Sequence, residues 1–568
     1  RKSLPNGRQQ GGAFGAAPKG AALRAAPFGV LVVFHLVRIS YVLASFPEPV
    51  LARFSTKFAD SENSLPQGAS LKGLVGFAHC LVSPFLFGAS AFFCDLGLFG
   101  ALVFYLAAVR SGRDLSWAVV IKTPHWLQML AQGSLMVYWG AFLPPVYGNM
   151  QLIVGQLLFA YGFDTLLQFA RGNQFKLGFG PFPILFSINF FLWFRPEFYY
   201  WQFAVIALGF AAKSFIHWKR DGATRHIFNP SSFPLSVFSL VLILTGTTGA
   251  TFGQEIAQSL FNPPHIYLAV FLVTLPAQIL FGVATMTIAA VTTAFAFSAG
   301  FYALTGAYFF RDAYIPIAVF LGMHLLFTDP ATSPRTEQGR VIFGFLYASF
   351  TIALAGLLEL AGAPTFYDKL LPIPILNLMV RRIDAVAVRG IFRYLEPARI
   401  LASLGIAPAR LATASLWALM FVGLGTSGGV GDDHPGQYLP FWQEACSEGN
   451  ARACEYVADV ETVYCERGSG WACNELGVTL SSLGVDPGIV RAAFNQACAM
   501  DFGPGCENSL KMATRQTDFV HANPPDDELP IVIRGSKGPI IEMDTTVLYS
   551  LACDRGWTTY CAQPIVTM

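Results

Sequence analysis

Charge is scarce in this chain. Only 13% of its 568 residues are Asp, Glu, Lys or Arg while 54% are hydrophobic, which excludes an ordinary soluble enzyme and reads as a polytopic membrane protein. A net charge of +2 excludes a nucleic-acid binder built on a basic face. No GxGxxG follows a strand pattern and no cysteine cluster lies among the cytoplasmic connections, so neither NAD nor an iron–sulfur cluster is bound by motif and the chain is not a complete oxidoreductase. Also missing are the CxxCH of attached haem and the two-to-four-residue cysteine spacing of zinc sites. His35 and His324 lack partner spacings for haem, and no metal is expected.

What is there is a series of apolar runs near 27–46, 91–109, 124–145, 150–169, 178–194, 199–217, 234–250, 265–283, 286–308, 313–327, 341–361, 364–382 and 411–427. They read as thirteen crossings of an all-α protein, several short against the ~20 residues a span needs. Residues 71–90 read as a re-entrant or surface helix and 1–26 as a flexible cytoplasmic tail. With the N-terminus inside, the connections at 110–123, 170–177, 218–233, 328–340 and 383–410 are cytoplasmic and carry most of the positive charge, among it Arg113, Lys122, Arg171, Lys176, Arg220, Arg335, Arg340 and Arg389. An odd number of crossings then puts the C-terminal part on the other side, for a bacterial inner-membrane protein in the periplasm. Of the polar groups within the runs, His35, Arg38, Asp95, Asp164 and His324 are candidates for ion or proton transfer, with snorkelling or pairing as the plainer alternative.

The cysteines bear on the same point. Eight of ten lie beyond residue 440 as Cys446/Cys454, Cys465/Cys473, Cys498/Cys506 and Cys553/Cys561, each pair with seven residues between its members. That spacing suits a helical hairpin whose turn brings the Cα atoms to disulfide distance, and four disulfides imply an oxidising compartment. Reduced core cysteines are the alternative. The repeated text Tyr464-Cys465-Glu466-Arg467-Gly468, Ala472-Cys473-Asn474-Glu475-Leu476-Gly477 and Gln496-Ala497-Cys498 resembles Sel1-like, cysteine-rich helical repeats over about 436–568. The resemblance implies stacked αα-hairpins with a concave surface for a protein or peptide partner. Residues 507–550 fit the repeat poorly, with a loop at Pro524-Pro525-Asp526-Asp527 and a strand-like Pro530-Ile531-Val532-Ile533-Arg534.

Three polar interruptions stand out among the apolar runs: His226-Ile227-Phe228-Asn229-Pro230, Thr248-Gly249-Ala250-Thr251 and Thr328-Asp329-Pro330-Ala331-Thr332. Backbone left unpaired there must line a site, a cavity or a membrane surface. Together with Thr123-Pro124-His125-Trp126, Lys213, Gly339-Arg340 and Asn377–Asp384, their order resembles the D subunit of Rnf electron-transport complexes and the B subunit of the sodium-pumping NADH:quinone reductase. The resemblance covers about 115–385 and implies a ten-helix core with two flavins. By that resemblance Thr251 would carry FMN through a phosphodiester bond, next to Thr248, Gly249 and Ala250 and outside the cytoplasm, where a transferase reaches it. A riboflavin would lie without a covalent bond at the cytoplasmic side, between the loop of His226, Phe228, Asn229 and Pro230 and that of Thr328, Asp329 and Thr332, with Lys213 nearby. Two departures are that Thr245 stands where the transferase motif has Asp and His226 where the family has Asn.

The expectation is therefore a membrane electron-transfer subunit of an oxidoreductase complex, coupled in the family to sodium or proton movement and dependent on other membrane and periplasmic subunits. The extra N-terminal helices at 27–114, the basic linker at 386–410, the further helix at 411–427 and the repeat domain at 428–568 imply a different partner set. The alternative is a cofactor-depleted docking subunit whose periplasmic repeats recruit a partner protein.

Overall fold

The computed structural model describes residues 112–389 and 409–522, apart from short gaps such as 254–255, 258–259 and 432–433. The expected N-terminal tail and first two crossings, His35, Arg38, Asp95, the centre of the 386–410 linker, Cys553, Cys561 and the loop and strand beyond 523 lie outside the described residues. What is described is mostly helical. Among the described residues between 115 and 387 there are ten helices of nine residues or more: α1 Thr123–Phe142, α2 Met150–Arg171, α3 Pro181–Asn189, α4 Tyr200–Phe215, α5 Ser232–Thr245, α6 Ile266–Phe281, α7 Ala284–Thr305, α8 Ile317–Leu325, α9 Glu337–Leu360 and α10 Pro372–Ala387, besides shorter helical turns. After them come α11 Ala409–Thr426 and the helices of the cysteine region, α12 Leu439–Ser447, α13 Ala451–Glu466, α14 Gly470–Ser482, α15 Pro487–Ala499 and α16 Gly503–Ala513.

Three of these helices, α2, α7 and α9, are long and apolar enough to cross a membrane. At 1.5 Å per residue they reach roughly 33–36 Å against a hydrocarbon core of about 30 Å. The runs at 178–194 and 313–327 are not continuous helices: α3 and α8 have nine residues each, about 14 Å. The physical reasons are local. Pro181 and Pro183 set the start of α3, and beyond Asn189 the chain runs through Phe190–Phe194 without helix, all five side chains buried. Pro316 precedes α8, and Asp329-Pro330 prevents any continuation.

The place of the short helix repeats. Helices α1 to α5 and α6 to α10 follow the same plan, with the nine-residue helix third in each set. Packing follows it too: α1 lies on α3 and α6 on α8; α2 on α4 and α7 on α9; α4 on α5 and α9 on α10. Across the two sets α1 meets α6 and α5 meets α10. The sets run in opposite directions. The ends of α2 and α4 meet where Arg171 bonds the Ser214 carbonyl, the starts of α7 and α9 meet where Thr285 bonds Glu337 at 3.0 Å, and both lie on one side, because Arg220, just past the end of α4, bonds Asp384, which accepts from Thr336 at the start of α9. The core is an inverted repeat, an architecture common among membrane transporters, with a broken helix in each half.

Two short strand pairs depart from the all-α expectation. Ser116–Val119 (β1) pairs in parallel with Gln174–Leu177 (β2), and His217–Arg220 (β3) forms an antiparallel hairpin with Ala223–His226 (β4). Both belong to connections rich in Lys and Arg. The cysteine region lies at the other end of α9: Arg452 bonds Glu359 at 3.1 Å and the Phe309 carbonyl at 2.9 Å, Arg311 bridges Glu359 and Asp459, and Asn450 bonds the Thr305 carbonyl. Three expected disulfides are formed there, Cys446–Cys454, Cys465–Cys473 and Cys498–Cys506, with Cα separations of 4.6, 4.6 and 4.4 Å. Each closes the turn between consecutive antiparallel helices, as the spacing required.

Candidate functional site

The break after α8 is stitched by the loop that precedes α5. Asn229 donates its amide hydrogen from Nδ2 to the Leu326 carbonyl at 2.9 Å, while its backbone N–H donates to Asn377 Oδ1 at 3.1 Å. Asn377 in turn donates to the Thr332 carbonyl at 3.2 Å. His226 Nε2 stands 3.5 Å from Asp329 Oδ2. The segments around 226–232, 326–332 and 377 are thus one polar cluster inside an apolar bundle. Sequence reasoning placed the first two together; it used Asn377 only as a landmark, although a buried Asn midway along an apolar helix end is itself a signal.

Local needs take much of this polarity. Asn229 Oδ1 accepts from the Ser231 and Ser232 amides and the Ser231 hydroxyl, satisfying the first amides of α5 as an N-cap does. Asp329 accepts from the Ala331 amide at 3.0 Å and the Thr332 hydroxyl at 3.1 Å. Thr328 donates to the His324 carbonyl one helical turn back. Burial pushes the Asp329 carboxyl up, but the His226 hydrogen bond and charge, together with Ala331 and Thr332, outweigh it and hold the group below its ordinary value. Pro230 is placed by close contact: a Cβ on Gly209 would lie 2.4 Å from the Pro230 carbonyl oxygen, so α4 and this loop touch backbone to backbone. Gly209 is six residues before the end of α4, so Asn229 and Pro230 sit about 9 Å inside the bundle from that end. Phe228 stacks on Phe233 at 4.5 Å.

Next to this cluster lie a histidine and three lysines. Lys213, in the last turn of α4, and His125, at the start of α1, meet at the N-terminus of α3, where a Cβ on Gly180 would lie 3.3 Å from the His125 ring and 3.8 Å from Lys213 Nζ. Lys122 and Lys176 lie on the rim; burial, then the charges of Lys213 and Lys176, push Lys122 down. Below, Arg220 joins the Ser333 carbonyl and Asp384, whose carboxylate also accepts the Arg335 and Thr336 amides.

The Thr248–Thr251 segment sits on the other break, the one after α3. Phe252 donates its amide hydrogen to the Trp193 carbonyl at 2.8 Å, and Arg195 donates its own to the Ala250 carbonyl at 3.0 Å and its guanidinium to the Gly249 carbonyl at 2.6 Å. Gln202, buried in α4, completes the break by bonding both Leu192 and Phe194. Thr251 itself is 3% exposed and donates to the Thr248 carbonyl, so its hydroxyl is turned inward rather than presented at the surface. Thr248 and Ala250 are half-buried and Gly249 is exposed. Among the described residues no group of His, Cys, Asp and Glu has metal-site geometry. His324 and Asp164 are buried; His324 donates its Nδ1–H to the Phe320 carbonyl at 2.7 Å and Asp164 accepts from Gln168 at 2.8 Å, so neither side chain joins the cluster around Asp329. The chain matches no family model, no curated protein and no solved structure.

Proposed function

We propose that the chain is the flavin-carrying membrane subunit of an electron-transfer complex, of the kind its sequence resembles in the D subunit of Rnf and the B subunit of the sodium-pumping NADH:quinone reductase. One observation carries this reading. The two segments singled out as flavin sites seat on the two breaks of the inverted repeat, Thr248–Thr251 after α3 and the Asn229 and Asp329 loops after α8, at opposite ends of α5. Broken half-helices are where membrane folds place ligands and ions, because polar backbone is tolerated there. Placing one flavin near each side of the bilayer gives an electron path along α5, on the order of 20 Å.

Residues divide the work by what they have to spare. Asn229 is engaged with Leu326 and the start of α5, so the contacts to an isoalloxazine at that end fall to His226, Asp329 and Thr332, and Lys213 supplies positive charge beside it, which favours a reduced, anionic ring. Thr251 becomes reachable by a transferase when the turn swings off Trp193–Arg195. The finer topology goes with this reading: ten crossings in the core, basic connections in the cytoplasm and disulfide repeats in the periplasm of a bacterial inner membrane. A docking subunit without cofactor is the second reading, favoured by the inward Thr251 hydroxyl.

Ultraviolet fluorescence of the denatured chain in a gel tests the covalent flavin: a band in wild type that vanishes in Thr251→Val supports it, and a dark wild-type band from cells containing the transferase removes it. Flavin released by denaturing the native protein, and lost in Asp329→Ala, tests the second site.

A further inference from the structure

The last described stretch of the chain lies extended along the cysteine region and is gripped by its backbone. Val520 donates its N–H to Asn508 Oδ1 at 2.7 Å, and its carbonyl accepts from Asn508 Nδ2 at 2.8 Å and Asn474 Nδ2 at 3.1 Å. Two residues on, the Ala522 N–H donates to Glu475 Oε1 at 2.8 Å and its carbonyl accepts from Trp471 Nε1 at 2.6 Å. All four groups go to side chains of α14 and α16. In an extended chain residues i and i+2 face the same way, so the face reads alternate peptide units, with one side-chain contact besides, His521 Nδ1 to Glu475 Oε2 at 3.0 Å.

The reading groups are held in advance. Asn474 and Asn508 are fully buried and bond each other at 2.9 Å, and Asn474 also bonds Glu475. Selectivity enters at the flanks. Phe519 packs on Phe494 with ring centroids 5.0 Å apart, beside Val478 and Val490, and Lys511 holds the Asp518 carbonyl. Asp518 and His521 stay exposed, and Phe519, Val520 and Ala522 are only half-buried, so the segment lies on the domain and is no part of its core.

We propose that the α14–α16 face is a binding site for an extended peptide of a partner protein, an aromatic residue followed two places after the next by a small one, and that residues 518–522 occupy it in cis. The tether from α16 gives the cis segment an effective concentration in the millimolar range, so a partner must present its peptide locally to displace it. This inference stands on the repeat region and is independent of the flavin reading.

The test uses the full chain in detergent and a fluorescent peptide of residues 516–523. Val520→Pro removes the N–H that Asn508 accepts and releases the segment while leaving the face intact. The peptide is expected to bind this variant about tenfold or more tighter than wild type, with the gain lost on adding Asn508→Ala or on replacing the peptide's Phe by Ala. Equal binding to wild type and Val520→Pro, or binding indifferent to Asn508→Ala, overturns the proposal. Hydrogen exchange of wild type guards against a misfolded variant: saturating unlabelled peptide is expected to speed exchange at 519–522, and unchanged protection there overturns it as well.

Discussion

Asp329 keeps a fifth of its side chain exposed and Glu461 almost none, and their surroundings move them in opposite directions. Asp329, held low by His226 and two local donors, contributes stability that is complete above its unfolded value of 3.8 and is lost as pH falls through the lower folded value. Unfolding in detergent, followed by tryptophan fluorescence from pH 6 to 3, is expected to show that acid loss in wild type and a smaller one in Asp329→Asn, which starts about 1–2 kcal/mol less stable at pH 6. Glu461 is 1% exposed in α13 with one carboxylate oxygen unpaired, and burial pushes it well above 4.5. Its proton is kept on folding, so stability declines as pH rises from 4.5 toward the folded value. Glu461→Gln is expected to flatten that slope and to be ~1–3 kcal/mol more stable above it. The family resemblance had put the His226 loop beside Asp329, 103 positions away, whereas the buried Glu461 was not visible beforehand because it sits in an unremarkable helical stretch.

Among the elements, close packing at two glycines, one inside each half of the core, decides how neighbouring helices fit. Gly209 lets α4 touch Pro230, and a Cβ on Gly344 would lie 2.2 Å from the Met286 carbonyl oxygen, where α7 and α9 run side by side. Backbone cannot yield as a flexible side chain does. Gly209→Ala and Gly344→Ala are each expected to cost about 1–3 kcal/mol, read as earlier thermal unfolding in detergent, and Gly209→Ala should also loosen the Asn229 loop, seen as faster hydrogen exchange at 229–232. Helix existence was legible from apolar runs, because burying about twenty apolar residues leaves few alternatives. Helix length was not: the runs at 178–194 and 313–327 looked like spans, and only the packing of Gln202 and Asn229 onto Leu192, Phe194 and Leu326 makes broken helices tolerable there.

In the whole molecule, the cysteine region rests on the far ends of α7 and α9 through Arg311, Arg452 and Glu359, and three disulfides secure its hairpins. Closing each short loop is worth ~2–3 kcal/mol in the chain-entropy model. Reductant is therefore expected to unfold residues 439–513 at lower denaturant while leaving the α1–α10 core unchanged, a split that limited proteolysis would reveal. By itself the sequence determined the membrane-like composition, the helical class and three disulfide pairs, since each follows from composition or local spacing, while the company kept by the Asn229 and Asp329 loops was implied by the family resemblance. Only the tertiary structure decided that the core is an inverted repeat with two broken helices, that Thr251 turns inward and that residues 518–522 fill the repeat face. Those depend on contacts between distant segments, where the free energy of satisfying buried backbone groups selects one arrangement among many that the local pattern allows.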